Sequence, residues 1–127
     1  MKLLAYLILG MALGATAGLA EEGKTILLIG HKPDHPPKCH EYLSTCELLA
    51  KCLRQTGGVE AVVSNGWPTD RKLLQRTDAI VLYTSPGAEI VLAEKAAADF
   101  EAMIKRGVGL VAIHWATGVH KKNVERL

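Results

Sequence analysis

The chain has 127 residues, 49% of them hydrophobic, with 15 Lys and Arg against 13 Asp and Glu for a formal net charge of +2. That balance describes one globular domain and excludes a disordered chain. The basic residues are scattered, so the polycationic face that nucleic-acid binding requires is missing and no such partner is expected.

Lys2 precedes the apolar run from Leu3 to Leu13, and small residues follow at Ala15-Thr16-Ala17 and Gly18-Leu19-Ala20. A basic start, an apolar centre and a small-residue end are the parts of a secretory signal peptide. Cleavage is expected after Ala17 or Ala20, and Ala20 is preferred because Glu21 and Glu22 then open the mature chain. The expected division is a leader over residues 1–20 and one α/β domain over residues 21–127, exported to the periplasm or beyond the cell. The rival is an uncleaved anchor, for which the run is near the minimum spanning length and rich in glycine. Once the leader is removed, no stable membrane span is expected. No cysteine follows the run, which argues against a lipoprotein.

Thr25 to Gly30 is a continuous apolar run bounded by glycine and reads as the first strand. His31-Lys32-Pro33-Asp34-His35-Pro36-Pro37 cannot be helical, because the three prolines restrict themselves and their predecessors. It is a stiff loop at the strand's carboxyl end. A helix is expected from about Lys38 to Thr56, with Cys39, Tyr42, Leu43, Cys46, Leu49, Ala50 and Leu53 forming one apolar stripe. On that helix Cys39 and Cys46 would lie about 10 Å apart along the axis, beyond the Cα separation of about 7 Å that a disulfide tolerates. Cys46 and Cys52 point in different directions, so three free thiols are expected, packing as small apolar residues.

Val59 to Val63 is a weaker second strand, and Asn65-Gly66-Trp67-Pro68 a turn. Thr69 to Arg76 reads as a short helix capped by Thr69. Asp78 to Tyr83 is the third strand, and Thr84-Ser85-Pro86-Gly87 the loop at its end. A helix from Glu89 to Arg106 is expected to bury Ala93, Ala96, Ala97, Phe100, Met103 and Ile104, with Gly107 closing it in left-handed geometry. Leu110 to Ile113 has no polar alternation and reads as a parallel strand buried on both faces. His114 ends it, and Lys121 begins a last helix.

Alternating strands and helices predict a right-handed, parallel α/β sheet of flavodoxin-like type, three layers deep, with strand order 2-1-3-4. In that order the fourth strand is an edge, apolar and open to pairing with a second copy, so a homo-oligomer through this edge is expected. His31 and His114 end strands separated only by the third, at the edge where open α/β sheets bind ligands.

Gly30 to Pro37, His40-Glu41-Tyr42, Asn65 to Pro68, Asp78 to Leu82 and Gly107 to His114, in that order, resemble the trehalose-utilisation (ThuA-like) family, which has the class I glutamine amidotransferase-like fold. The resemblance covers the chain from Lys24 to its end. It implies the same sheet and an association with sugar metabolism, hence a small-molecule sugar ligand, a carbohydrate or a keto-sugar derivative. Family members are longer, so the chain looks like an amino-terminal piece, its sheet incomplete at the carboxyl end. Amidotransferases carry a nucleophilic cysteine after the strand that corresponds to Leu110–Ile113. Here His114 stands in that neighbourhood and no cysteine follows Cys52, which excludes glutamine amidotransferase chemistry. Val108 also interrupts a run that is usually three glycines.

The functional residues expected from this pattern form a pocket of His31, His40, Glu41 and His114, with Asp34 and His35 at its rim. Catalytic work is expected of His114, His40 and Glu41, and substrate contact of Asp34, Trp67 and Trp115. A divalent metal such as zinc, if used, would fall to His31, His40 and His114, since imidazole and carboxylate groups suit it. The same groups suit acid–base work on a sugar hydroxyl or carbonyl, hydrolase-like or isomerase-like. The spacing His31-x3-His35-x4-His40 fits no standard metal motif. Plainer alternatives stand beside these roles: His35 and His120 as exposed surface, His40 paired with Glu41 or capping the helix, and the tryptophans covering the core edge. The competing function is a non-catalytic module that binds carbohydrate or a partner protein.

Overall fold

The computed structural model describes residues 23–126, so the leader expected over residues 1–20 lies outside the described residues. Within them the elements run β1 (Lys24–Gly30), α1 (Tyr42–Leu53), β2 (Val59–Asn65), α2 (Arg71–Arg76), β3 (Ala79–Leu82), α3 (Gly87–Leu92), α4 (Glu94–Lys105) and β4 (Gly109–Ala112). The four strands form one parallel sheet in the order β2-β1-β3-β4. This is the flavodoxin-like layout expected from the alternation of apolar runs. Among the described residues, no helix is long and apolar enough to cross a membrane.

The unbroken apolar run of β1 follows from its central place. Leu27 and Ile29 face a core shared with α2, α3 and α4, through Leu73, Leu74, Val91 and Met103. Leu28 faces the other layer, against Cys46 and Ala50 of α1. A strand covered on both faces has no position for a polar side chain, and each buried Leu or Ile is worth about 1.5–3 kcal/mol. Asp78 ties the entry of β3 to β1 by accepting from the Thr25 backbone N–H at 2.8 Å and from Lys24 Nζ at 3.2 Å. The backbone bond from Thr25 is the main reason its carboxyl sits below the usual range.

Several sequence expectations are corrected. The first helix starts at Tyr42 rather than Lys38, because Lys38 and His40 take left-handed φ of 73° and 48° that no helix admits. Cys39 therefore lies off the helix. All three cysteines are free, as expected, and burial pushes the Cys46 thiol up to about 11. Asp70, not Thr69, caps α2, its Oδ1 accepting from Lys72 and Leu73 N–H at 2.9 and 3.2 Å. The long helix expected from Glu89 is two helices, broken at Ala93 where ψ turns to 140°. Of its expected buried face, Ala96 and Met103 are buried, whereas Ala93 and Ile104 are exposed. Gly107 closes α4 with φ of +89°.

The largest correction concerns β4. It was expected to be buried on both faces, yet every residue of it is exposed, with Leu110 at 47% and Val111 at 51%. Among the described residues no strand pairs with its outer side, as the strand order led one to expect, and apolar character alone does not reveal what covers a strand's faces. The last helix is a 3-10 turn, Lys121–Arg126.

Candidate functional site

The site is built from two segments that leave the carboxyl edge of the sheet. The first follows β1. Gly30 lets α1 approach the strand closely, since a Cβ there would meet the Tyr42 backbone at 3.1 Å. The proline loop then doubles back through a turn in which the Cys39 N–H donates to Pro36 O at 3.1 Å, with Pro37 and Lys38 at its centre. Proline at the first central position and positive φ at the second are the geometry of a type II turn, here with lysine where glycine is usual. The second segment follows β4 as a 3-10 turn, His114–Thr117, which begins with His114 at φ of 57°.

These loops bring four side chains into contact. His35 Nδ1 lies 2.6 Å from Asp34 Oδ1 and 3.1 Å from His40 Nδ1. His40 Nδ1 is 3.7 Å from the same Asp34 oxygen. On its far side, His40 Nε2 lies 3.3 Å from His114 Nε2. Tyr42, fully buried, donates its hydroxyl to Asp34 Oδ1 at 3.0 Å and so fixes the carboxylate from below. The His35 hydrogen bond, ahead of the Tyr42 one, lowers the Asp34 carboxyl to about 2. Burial raises the Tyr42 phenol above its ordinary value.

Beside the cluster opens a cavity of about 350 Å³ lined by His35, Ser85, Pro86, Trp115, Val119 and His120. His35 belongs to both the cluster and the cavity wall. Trp115 offers an indole that is 55% exposed, adjacent to the His114 ring at 5.6 Å. Glu89 of α3 accepts from the His120 N–H at 2.9 Å and from Asn123 Nδ2 at 2.7 Å, which anchors the chain along this wall.

The expected pocket is therefore rearranged. His40, His114 and Asp34 are brought together, and Trp115 lies beside the His114 ring. His31 does not join them: its ring stacks on Tyr42 at 4.2 Å, and its Nε2 accepts from the Ser85 N–H at 2.9 Å. Its acceptor lone pair is thus occupied, and it leaves the expected ligand set. Glu41 Oε1 accepts from the Lys38 N–H at 3.0 Å and holds the turn, and Glu41 is not among the residues whose ligand atoms converge. Trp67 packs edge-on against Phe100 at 6.1 Å, in the core layer of α2 to α4. His35, expected at the rim with exposed surface as its alternative, lines the cavity, and so does His120, which was read as surface alone. His35 was legible only as the neighbour of Asp34, and nothing local marked His120.

Two of the four clustered residues, His40 and His114, sit at positive φ, which costs a non-glycine residue about 1–3 kcal/mol. Exchange of His114 for glycine is expected to relieve that strain. Because His114 is exposed, little packing is lost, and urea denaturation should show a gain of about 1 kcal/mol. A loss of stability would show that the His40–His114 contact outweighs the strain. No family model, curated protein or solved structure matches the chain.

Proposed function

We propose that this is an exported, ThuA-like protein that acts on a carbohydrate or keto-sugar derivative held in the Trp115 cavity, with the Asp34–His35–His40–His114 cluster as its reactive group. The observation that carries this reading is the double position of His35, hydrogen-bonded to Asp34 and exposed in the cavity wall. A carboxylate on one imidazole nitrogen orients the ring and leaves the other nitrogen to meet a ligand. Trp115 supplies the flat apolar face on which a sugar ring stacks, and imidazole groups supply the hydrogen bonds that hydroxyls need. The leader-like residues 1–20 support export. Hydrolase-like and isomerase-like chemistry both fit, because each needs a group that gives and takes a proton near neutral pH.

The test is turnover and binding of a panel of disaccharides and keto-sugars by the wild type and by His35→Ala and Trp115→Ala. Wild-type turnover is expected, with His35→Ala reducing kcat by about 100-fold or more, the range of a lost acid–base group. Trp115→Ala is expected to weaken binding instead. Binding without turnover, unchanged in His35→Ala, would replace the enzyme with the carbohydrate-binding module.

A further inference from the structure

We propose that Asp34 Oδ1, His35 Nδ1 and His40 Nδ1 are the ligands of a divalent cation of the zinc class, with His114 orienting His40 from outside. The proposal goes beyond that reading: with a cation on Nδ1, His35 is a ligand and not the Asp34-oriented base, and the site stands or falls without any sugar.

The argument starts from what an imidazole nitrogen can do. Each ring nitrogen has a single in-plane lobe, either an N–H or a lone pair. His35 Nδ1 is within bonding distance of two groups at once, Asp34 Oδ1 at 2.6 Å and His40 Nδ1 at 3.1 Å. One hydrogen on His35 Nδ1 satisfies Asp34 and leaves His40 Nδ1 facing a nitrogen with nothing to offer it. One hydrogen on His40 Nδ1, directed at the His35 lone pair, leaves that lone pair shared with a carboxylate. A proton serves two of these three atoms. A cation at their centre serves all three.

The spacing agrees with that. Tetrahedral zinc with bonds of about 2.0–2.1 Å places its donors roughly 3.3 Å apart. The three separations here, 2.6, 3.1 and 3.7 Å, bracket that value. Asp34, His35 and His40 are also a group whose ligand atoms all fall within 4.8 Å of one another. One carboxylate and two imidazoles make a three-ligand set of the kind that leaves a fourth position for water or a ligand oxygen. His35 places that set beside the cavity.

The outer contacts suit the role as well. With Nδ1 on the metal, His40 Nε2 carries a hydrogen, and His114 Nε2 lies 3.3 Å away to accept it. Such a partner fixes tautomer and ring orientation. Tyr42 does the equivalent for Asp34 by donating its hydroxyl to the carboxylate at 3.0 Å. Both supports come from residues whose positions are set by the fold, one at the head of α1 and one after β4.

Equilibrium dialysis of the purified, chelator-stripped protein against zinc, and titration with cobalt(II) followed by visible absorption, read the site directly. One metal per chain is expected, with the intense visible bands of tetrahedral cobalt. His35→Ala and His40→Ala should each weaken binding by more than about 100-fold, and His114→Ala by about 10–100-fold, the scale of an outer-shell partner. Because Cys39 is exposed next to His40, Cys39→Ser is the control and should bind as the wild type does. Circular dichroism establishes that each variant is folded. Failure to bind one equivalent, binding that survives His35→Ala and His40→Ala, or binding lost in Cys39→Ser would overturn the proposal. Sugar binding measured on the metal-free protein separates the two readings: sugar without metal overturns this site alone, and metal without sugar overturns the carbohydrate reading alone.

Discussion

Exchange of Tyr42 for alanine is expected to cost about 3–5 kcal/mol, the range for removing a fully buried aromatic ring. Tyr42 has no exposed surface, and its ring fills the space between His31, at 4.2 Å, and Tyr83, at 5.0 Å. It is also the first residue of α1, so the cavity left behind lies where the helix is seated on the end of β1. The phenylalanine variant separates packing from polarity. It keeps the ring and removes the hydroxyl with its hydrogen bond to Asp34 at 3.0 Å, for an expected loss of about 1–2 kcal/mol. That smaller change should nevertheless loosen Asp34 and weaken zinc binding, which the alanine variant cannot report cleanly if it unfolds. Urea denaturation measures both. An alanine variant within about 1 kcal/mol of wild type would show that α1 is not held to the sheet through this ring.

The same residue shows how much of the site was legible in the sequence. Its place on an apolar stripe marked it as core, and that holds. The stripe carries no information about its hydroxyl, which reaches eight residues back to Asp34. By filling that position Tyr42 separates His31 from His40, and so removes His31 from a pocket to which strand order had assigned it. Strand order locates backbones at one edge of the sheet. It does not say which side chain stands between two others.

The four strands and their order were readable because Leu27, Leu28 and Ile29 lack polar alternation and glycine bounds them. The loops resisted for a different reason. Three prolines exclude helix, but they do not predict left-handed conformations at Lys38 and His40, and those two residues aim the imidazoles. Glu41 did leave a signal: a glutamate three residues after a turn residue is spaced to accept that residue's N–H, as in a capping box. Trp67 left none, since Phe100 is its partner only through the folded core. Exposure admitted two readings of one residue. His35 is half exposed, as a loop histidine should be, and that exposure is what opens it to the cavity.

Exchange of Gly87 for alanine is expected to disturb fold and site together. Gly87 is buried at the start of α3, and a Cβ there would fall 2.4 Å from Ala116 O and 2.6 Å from Ala116 Cα. Contacts below 3.0 Å are essentially never seen for a Cβ, and no side-chain rotation relieves a clash with backbone. One of the two elements must move. Helix α3 is anchored by Val91 in the core, whereas the His114–Thr117 turn lies largely at the surface with only Ala116 buried. The turn therefore gives way. Overpacking of this kind costs about 1–3 kcal/mol, and the shift carries His114 away from His40 and Trp115 away from the cavity. Gly57→Ala is the matched control, because a Cβ there meets nothing within 4 Å. Denaturation gives the stability, and the imidazole proton resonances of His40 and His114 give the displacement. A Gly87→Ala protein with wild-type stability and unmoved histidine resonances would mean that α3 does not set the position of the turn, and that His114 is held by its own contact with His40.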